Sequence, residues 1–232
     1  MLKPLVLSSL GLAAVAVAAA PTASAKWYGS TLSGTPNASY GCEAAMVAGP
    51  LGGVGLQPTN QTSCTYRHGG YLFNLNRFTF VVPASGRIKR IRVKSGPNPA
   101  KLRLTVLTGS ARVDTFSGQD LPGTYTCCTA RYVGKPFTPR ANATTTKRVN
   151  VRVKNVRDKS IDLRIHSSDG LALTAVGPGT LPLSIGPTLG GFDSGTPALV
   201  GYWPATAKGE PRVEGYTMTG IDLLFQWDWR RR

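Results

Sequence analysis

Acidic residues are scarce in this 232-residue chain, with 11 Asp and Glu set against 27 Lys and Arg for a formal net charge of +16. Between Glu43 and Asp114 there is no acid at all, while Arg67, Arg77, Arg87, Lys89, Arg90, Arg92, Lys94, Lys101, Arg103 and Arg112 all fall in that window. A field of one sign attracts polyanions, although cations on solvated strand faces also serve solubility. Histidine is scarcer still. His68 and His166 are the only two, and with no GxSxG elbow there is little to activate a Ser or Cys nucleophile. His68 precedes Gly69-Gly70 in an expected turn, and His166 lies on an expected outer strand face near Asp162 and Asp169; both read as solvated side chains. HExxH, an EF-hand loop and a phosphate-binding glycine loop are absent, as is CxxC spacing. The sequence therefore calls for no metal and no cofactor.

Long apolar runs are also missing, with one exception. Leu5 to Ala20 is almost wholly apolar, follows Lys3, and leads to Ala23-Ser24-Ala25 before Lys26, the pattern of a secretory signal peptide. Removing residues 1–25 takes away only Lys3, leaving 207 residues at +15. No later stretch is long enough to span a bilayer, and the first cysteine, Cys42, is too far from the cleavage site for a lipid anchor. The expected location is extracellular.

Four cysteines in an exported chain predict two disulfides, with three possible connectivities. Cys127 and Cys128 are adjacent, so a bridge between them closes a strained ring. The expected pairing is Cys42 with Cys64 plus a Cys127–Cys128 bridge in a loop; crossed bridges from 42 and 64 to 127 and 128 are the alternative.

What is present is alternation. Phe78, Phe80 and Val82 alternate, a turn follows at Pro83 to Gly86, and Ile91 and Val93 alternate with Arg90, Arg92 and Lys94. SGPNP then turns the chain into Leu102, Leu104 and Val106, which predicts a β meander. Val149, Val151 and Val153 oppose Asn150, Arg152 and Lys154; Ile161, Leu163 and Ile165 oppose Asp162, Arg164 and His166. Leu171 and Leu173 make a further short strand after a Ser-Ser-Asp-Gly turn. The end of the chain places Ile221, Leu223, Phe225, Trp227 and Trp229 on one face. Tyr71 to Leu75 is a strand, Ala44–Val47 and Val54–Leu56 are brief ones, and residues 116–143 and 177–215 read as two long loop systems. Helical periodicity appears nowhere outside the leader. Eight to ten strands with Gly and Pro turns predict one domain over residues 26–232, an all-β, two-layer antiparallel β-sandwich of jelly-roll type.

The functional candidates follow from that layout. Arg90, Arg92, Lys94, Arg103, Arg152, Lys154 and Arg164 alternate with apolar residues; if their strands share a sheet, they form one patch suited to carboxylate, sulfate or phosphate groups. Loop aromatics, Trp27, Tyr28, Tyr125, Tyr132, Tyr202 and Trp203, are candidates to stack on sugars or to plug the core. The best isolated carboxylate pair for a glycosidase or lyase is Glu210 with Glu214.

The segments VPASGRIKRIRVKSGPNPAKLRLTVL, TCCTARYVGKPFTPRANATTTKRVNVRV and GIDLLFQW resemble the recurring blocks of a group of secreted actinobacterial β-sandwich proteins with a paired-cysteine motif. The resemblance covers most of the chain after the leader. It implies the fold, the extracellular setting and the pairing of neighbouring cysteines, and it brings no activity. In that setting the sequons at Asn37, Asn60 and Asn142 are chance matches. The leading expectation is a non-catalytic binding or envelope-associated domain for an anionic or neutral extracellular polysaccharide or cell-envelope polymer. A membrane span and a nucleic-acid partner are not expected. A carbohydrate-active enzyme and a structural or adhesive surface protein are the alternatives.

Overall fold

The computed structural model describes residues 26–48, 54–69, 82, 85–112, 126–154, 165–186, 198–202, 205, 207–209 and 216–231. Within them the chain is all β. Its strands are β1 (Lys26–Gly29), β2 (Ala44–Ala48), β3 (Val54–Pro58), β4 (Ser63–Gly69), β5 (Gly86–Ser95), β6 (Lys101–Arg112) and β7 (Thr126–Val133). The chain continues with β8 (Ala143–Val153), β9 (Ile165–Val176), β10 (Leu183–Ile185), β11 (Ala198–Tyr202), β12 (Tyr216–Thr219), β13 (Ile221–Leu223) and β14 (Phe225–Arg231).

Two antiparallel sheets make the sandwich. One has the order β1-β14-β5-β8 and the other β12-β11-β4-β9-β6-β7, with the short pairs β2-β3 and β10-β13 beside them. Counting only β1, β4, β5, β6, β7, β8, β9 and β14 as first to eighth, the sheets read 1-8-3-6 and 2-7-4-5. That interleaving is the jelly roll, in which most consecutive strands change sheet. Its core is the alternation expected from the sequence, Ile91, Val93, Leu102, Leu104, Val106, Leu171, Leu173, Phe225 and Trp227, joined by Ile88, each at most 2 % exposed. Aligned apolar faces of two sheets bury one another about 10 Å apart. In β5 a bulge between Ile88 and Arg90, opposite the adjacent Trp229 and Asp228 of β14, adds one residue to the outward side, so Ile88 and Ile91 both point inward although three positions separate them.

The Cys42–Cys64 disulfide is present, with Cα atoms 5.4 Å apart and a sequence separation of 22. Closing a loop of that size restricts the unfolded chain by roughly 3 kcal/mol in the chain-entropy account. It pins the segment before β2 to the inward face of β4, where both cysteines are fully buried.

Several expectations are corrected. The meander is not one: β5 pairs with β8 and β14, β6 with β7 and β9, and the SGPNP segment carries the chain from one layer to the other. Asn98 takes a φ of 51° in that crossing, a conformation asparagine tolerates better than most residues. The expected loop at 116–143 contains β7, because Thr126–Val133 completes the edge of β6; its cysteines therefore sit in a strand, and the pairing of the Cys127 and Cys128 side chains lies outside the described residues. The expected Ser-Ser-Asp-Gly turn runs straight through the middle of β9, where Asp169 pairs with Thr108 and Gly170 with Leu107. Asp169 does not need a turn to satisfy its carboxylate. It is 1 % exposed and accepts from Thr108 Oγ1 at 2.6 Å, the Lys154 amide at 2.6 Å, Arg131 Nε at 3.1 Å and a terminal nitrogen of Arg131. The expected loop at 177–215 contributes β10 and β11, and the described residues alone form fourteen strands where eight to ten are expected. The Ala44–Val47 and Val54–Leu56 runs form brief strands as expected, and the structure pairs them with each other as β2 and β3. Residues 1–25, Tyr71 to Leu75, Phe78, Phe80, Ile161 and Leu163 lie outside the described residues.

Candidate functional site

The outward side of the four-stranded sheet collects the cations. From β5 it takes Arg87, Lys89, Arg90, Arg92 and Lys94, from β8 Arg148 and Arg152, and from β14 Arg230, each partly or fully exposed. Pairing registers stack them in rows across the strands: Trp27–Asp228–Arg90–Arg148, Gln226–Arg92–Thr146, and Arg230–Arg87–Arg152. Asp228 is the one carboxylate on this side among the described residues, and it is fully buried. Arg90 covers it, with Nε at 2.9 Å and a terminal nitrogen at 2.8 Å from Oδ2. Arg230 Nε lies 3.6 Å from Oδ1, which accepts no hydrogen bond. One acid is thus shared by two guanidiniums.

Trp27 forms the aromatic part of this face. The guanidinium carbon of Arg92 is 4.0 Å from the indole centroid and that of Arg90 5.2 Å. Stacked on a ring, a guanidinium is held by the quadrupole while its N–H edge stays free for an oxyanion. The remaining cations of β5 are held by neutral groups: Arg87 and Lys89 both donate to Asn150 Oδ1, at 2.9 and 3.3 Å, and Lys94 Nζ donates to the Leu32 and Gly34 carbonyls at 3.1 and 2.7 Å.

Of the residues expected to form the patch, Arg90, Arg92, Lys94 and Arg152 share this face, and the exposed Lys154 follows the end of β8. Arg103 does not: it belongs to β6 in the other sheet, because the chain crosses layers after β5. Arg164, Trp203 and Tyr125 lie outside the described residues, as do Glu210 and Glu214. Tyr202 is in β11, its side chain outside that description. Trp27 is a strand residue and not a loop one, whereas Tyr28 points inward and meets Trp229 edge-on at 6.1 Å. Tyr132 packs against the core. Arg148, Arg230 and Asp228 are not marked by the sequence, and Arg87 only as one cation of the acid-free window. Extending the Asn150/Arg152 alternation back by one step reaches Arg148; nothing local marks Asp228 as the buried acid.

A second cluster corrects the reading of His68. It lies in β4, not in a turn, and is 4 % exposed. Its Nε2 is 3.1 Å from the Phe225 carbonyl, so that nitrogen carries the proton and donates. Its Nδ1 is 3.9 Å from Asp222 Oδ1, and Ser30 Oγ donates to Asp222 Oδ2. Burial pushes the imidazole below its ordinary 6.5 and pushes the Asp222 carboxyl above its ordinary 3.8. A serine, an aspartate and a histidine meet here in the wrong order for a nucleophile relay: the carboxylate stands between the other two, and the imidazole has no contact with the hydroxyl it would need to deprotonate. The cluster ties the end of β1, β4, β13 and β14 together.

No family model matches this chain. No curated protein matches it either.

Proposed function

We propose that this is an exported, non-catalytic binding domain that holds an acidic extracellular polymer on the outer face of its four-stranded sheet. The observation that carries the reading is Trp27 beneath Arg92 and Arg90, on a face whose one described carboxylate is buried. Cations placed for solubility alone have no need of an aromatic platform, whereas a stacked guanidinium is oriented and partly desolvated for bidentate contact with carboxylate, sulfate or phosphate. With Arg92 on the ring, charge and not sugar stacking dominates recognition. The leader-like residues 1–25 and the Cys42–Cys64 disulfide support an extracellular setting, and no helix among the described residues is long and apolar enough to cross a membrane.

Retention on a heparin column at physiological salt, with an array of neutral and acidic glycans alongside, tests the reading. Retention that weakens as salt screens the face, and is lost in Arg92→Ala and Trp27→Ala, is the expected result. Absence of retention together with an empty array would refute it.

A further inference from the structure

One row on this face is arranged against its own stability. Arg230 of β14 lies opposite Arg87 of β5, and Arg87 lies opposite Arg152 of β8. Residues opposed across adjacent strands hold their Cβ atoms about 5 Å apart on one side of the sheet, and like charges in that position repel. Little protein charge offsets the repulsion. Arg87 has a neutral amide oxygen, that of Asn150. Arg230 has the far oxygen of Asp228, whose other oxygen already receives Arg90. For the exposed Arg152 the described partner is at its backbone carbonyl, which accepts from Arg131 at 2.7 Å. Along β5, by contrast, Arg90 has Asp228, Arg92 has Trp27 and Lys94 has two carbonyls.

Resting on the binding reading above, we infer that the Arg230–Arg87–Arg152 row is an oxyanion subsite, and that an acidic polysaccharide crosses the strands there instead of running along β5. The row spans two inter-strand spacings, about 10 Å. A path along β5 from Arg87 to Lys94 is about 23 Å at the usual strand rise. Minimum ligand length therefore separates the two paths. The recognised group is a carboxylate, sulfate or phosphate carried at short intervals on a linear chain.

The test uses the full chain with three probes, polygalacturonate, heparin and polyphosphate, and the variants Arg87→Gln, Arg152→Gln and their double, with Arg103→Gln on the opposite sheet as control. Each lost guanidinium lowers affinity for the bound probe about tenfold, and Arg103→Gln leaves it unchanged. The double variant without ligand melts at or above the parent temperature, because repulsion is relieved; a merely structural row moves the melting point the other way. A trisaccharide or tetrasaccharide of the bound polymer competes as completely as an octasaccharide. Full affinity in the double variant, with Trp27→Ala and Arg92→Ala still deficient, overturns the subsite and leaves the binding reading intact. Competition that requires the octasaccharide overturns the crossing path. Failure of the parent protein to bind any of the three overturns both.

Discussion

The two sheets share an inward face and differ completely on their outward ones. The four-stranded sheet turns guanidinium and ammonium groups to solvent. At the centre of the six-stranded sheet the outward positions are dry: Thr65 and Thr105 are fully buried, Thr174 is 2 % exposed, and Leu107 and Ala172 are at most 1 % exposed, while Lys101 and Arg103 at the start of β6 reach solvent. The Thr174 hydroxyl sits between those of Thr65 and Thr105, at 2.9 and 2.6 Å, so three neighbouring strands are stitched by a short hydroxyl chain where water is excluded. Even the outward Arg67 is 7 % exposed. The lesson is that a polar or charged residue alternating with apolar ones marks the side away from the core and says nothing about whether that side is wet. A dry face demands satisfied hydrogen bonds; a wet one leaves its charges available to a ligand.

The largest expected effect lies where the sheets meet. Asp169→Ala removes the acceptor shared by Arg131, Thr108 and the Lys154 amide, and breaking such a buried pair costs about 3–5 kcal/mol. Thermal melting should fall by on the order of 10 °C for a domain of this size; a change under about 3 °C would show that the junction is not anchored by this carboxylate. Next comes the dry face itself. Thr174→Val strands two buried hydroxyls and should cost about 1–3 kcal/mol, against less than about 0.5 kcal/mol for Arg148→Ala on the wet face. Equal costs in denaturant titrations would erase the contrast between the faces.

The His68 cluster gives a smaller, pH-dependent effect. The folded-state value of His68 is depressed below 6.5, so as pH falls through 6.5 the unfolded chain takes up the proton first and stability declines toward the folded value. The raised Asp222 value works in the opposite direction at lower pH, since the folded carboxyl takes up its proton before the unfolded one does at 3.8. Melting temperature should therefore drop by a few degrees between pH 7 and pH 5.5, and His68→Gln should flatten the drop. A parent profile that is flat, or that rises over this range, contradicts the assignment. Small in stability as well is Trp27→Ala, a half-buried edge residue, expected to shift melting by at most about 2–4 °C, about 1 kcal/mol, while abolishing retention on heparin. A large loss of stability with retention preserved would make Trp27 a structural residue.

Much of this was legible along the chain. Ile91 to Val93, Leu102 to Val106, Val149 to Val153 and Phe225 to Trp227 announce their strands because period-two burial is a local property of an extended backbone. The bulge at Lys89 and Arg90 was not legible, since either residue alone fits the alternation. Ser167 to Gly170 looked like a turn because Asp and Gly favour turns when nothing else receives the carboxylate; in the fold Arg131, Thr108 and Lys154 receive it. β7, with its weak pattern at Cys127 to Ala130, is extended because β6 pairs with it. Trp27 read as one aromatic among six; its position beneath Arg92 exists only because β14 lies between β1 and β5.

By itself the sequence determined the inward stripes, the cationic excess and the availability of Cys42 and Cys64 for a bridge, all of them matters of residue type and short-range periodicity. Tertiary structure decided that SGPNP changes sheet, that Arg103 faces away from Arg90 and Arg92, and that Arg87, Arg152 and Arg230 stand in one row. Strand partners and registers are settled by hydrogen bonds and packing between residues more than forty positions apart, and no local pattern encodes which distant strand completes the ladder.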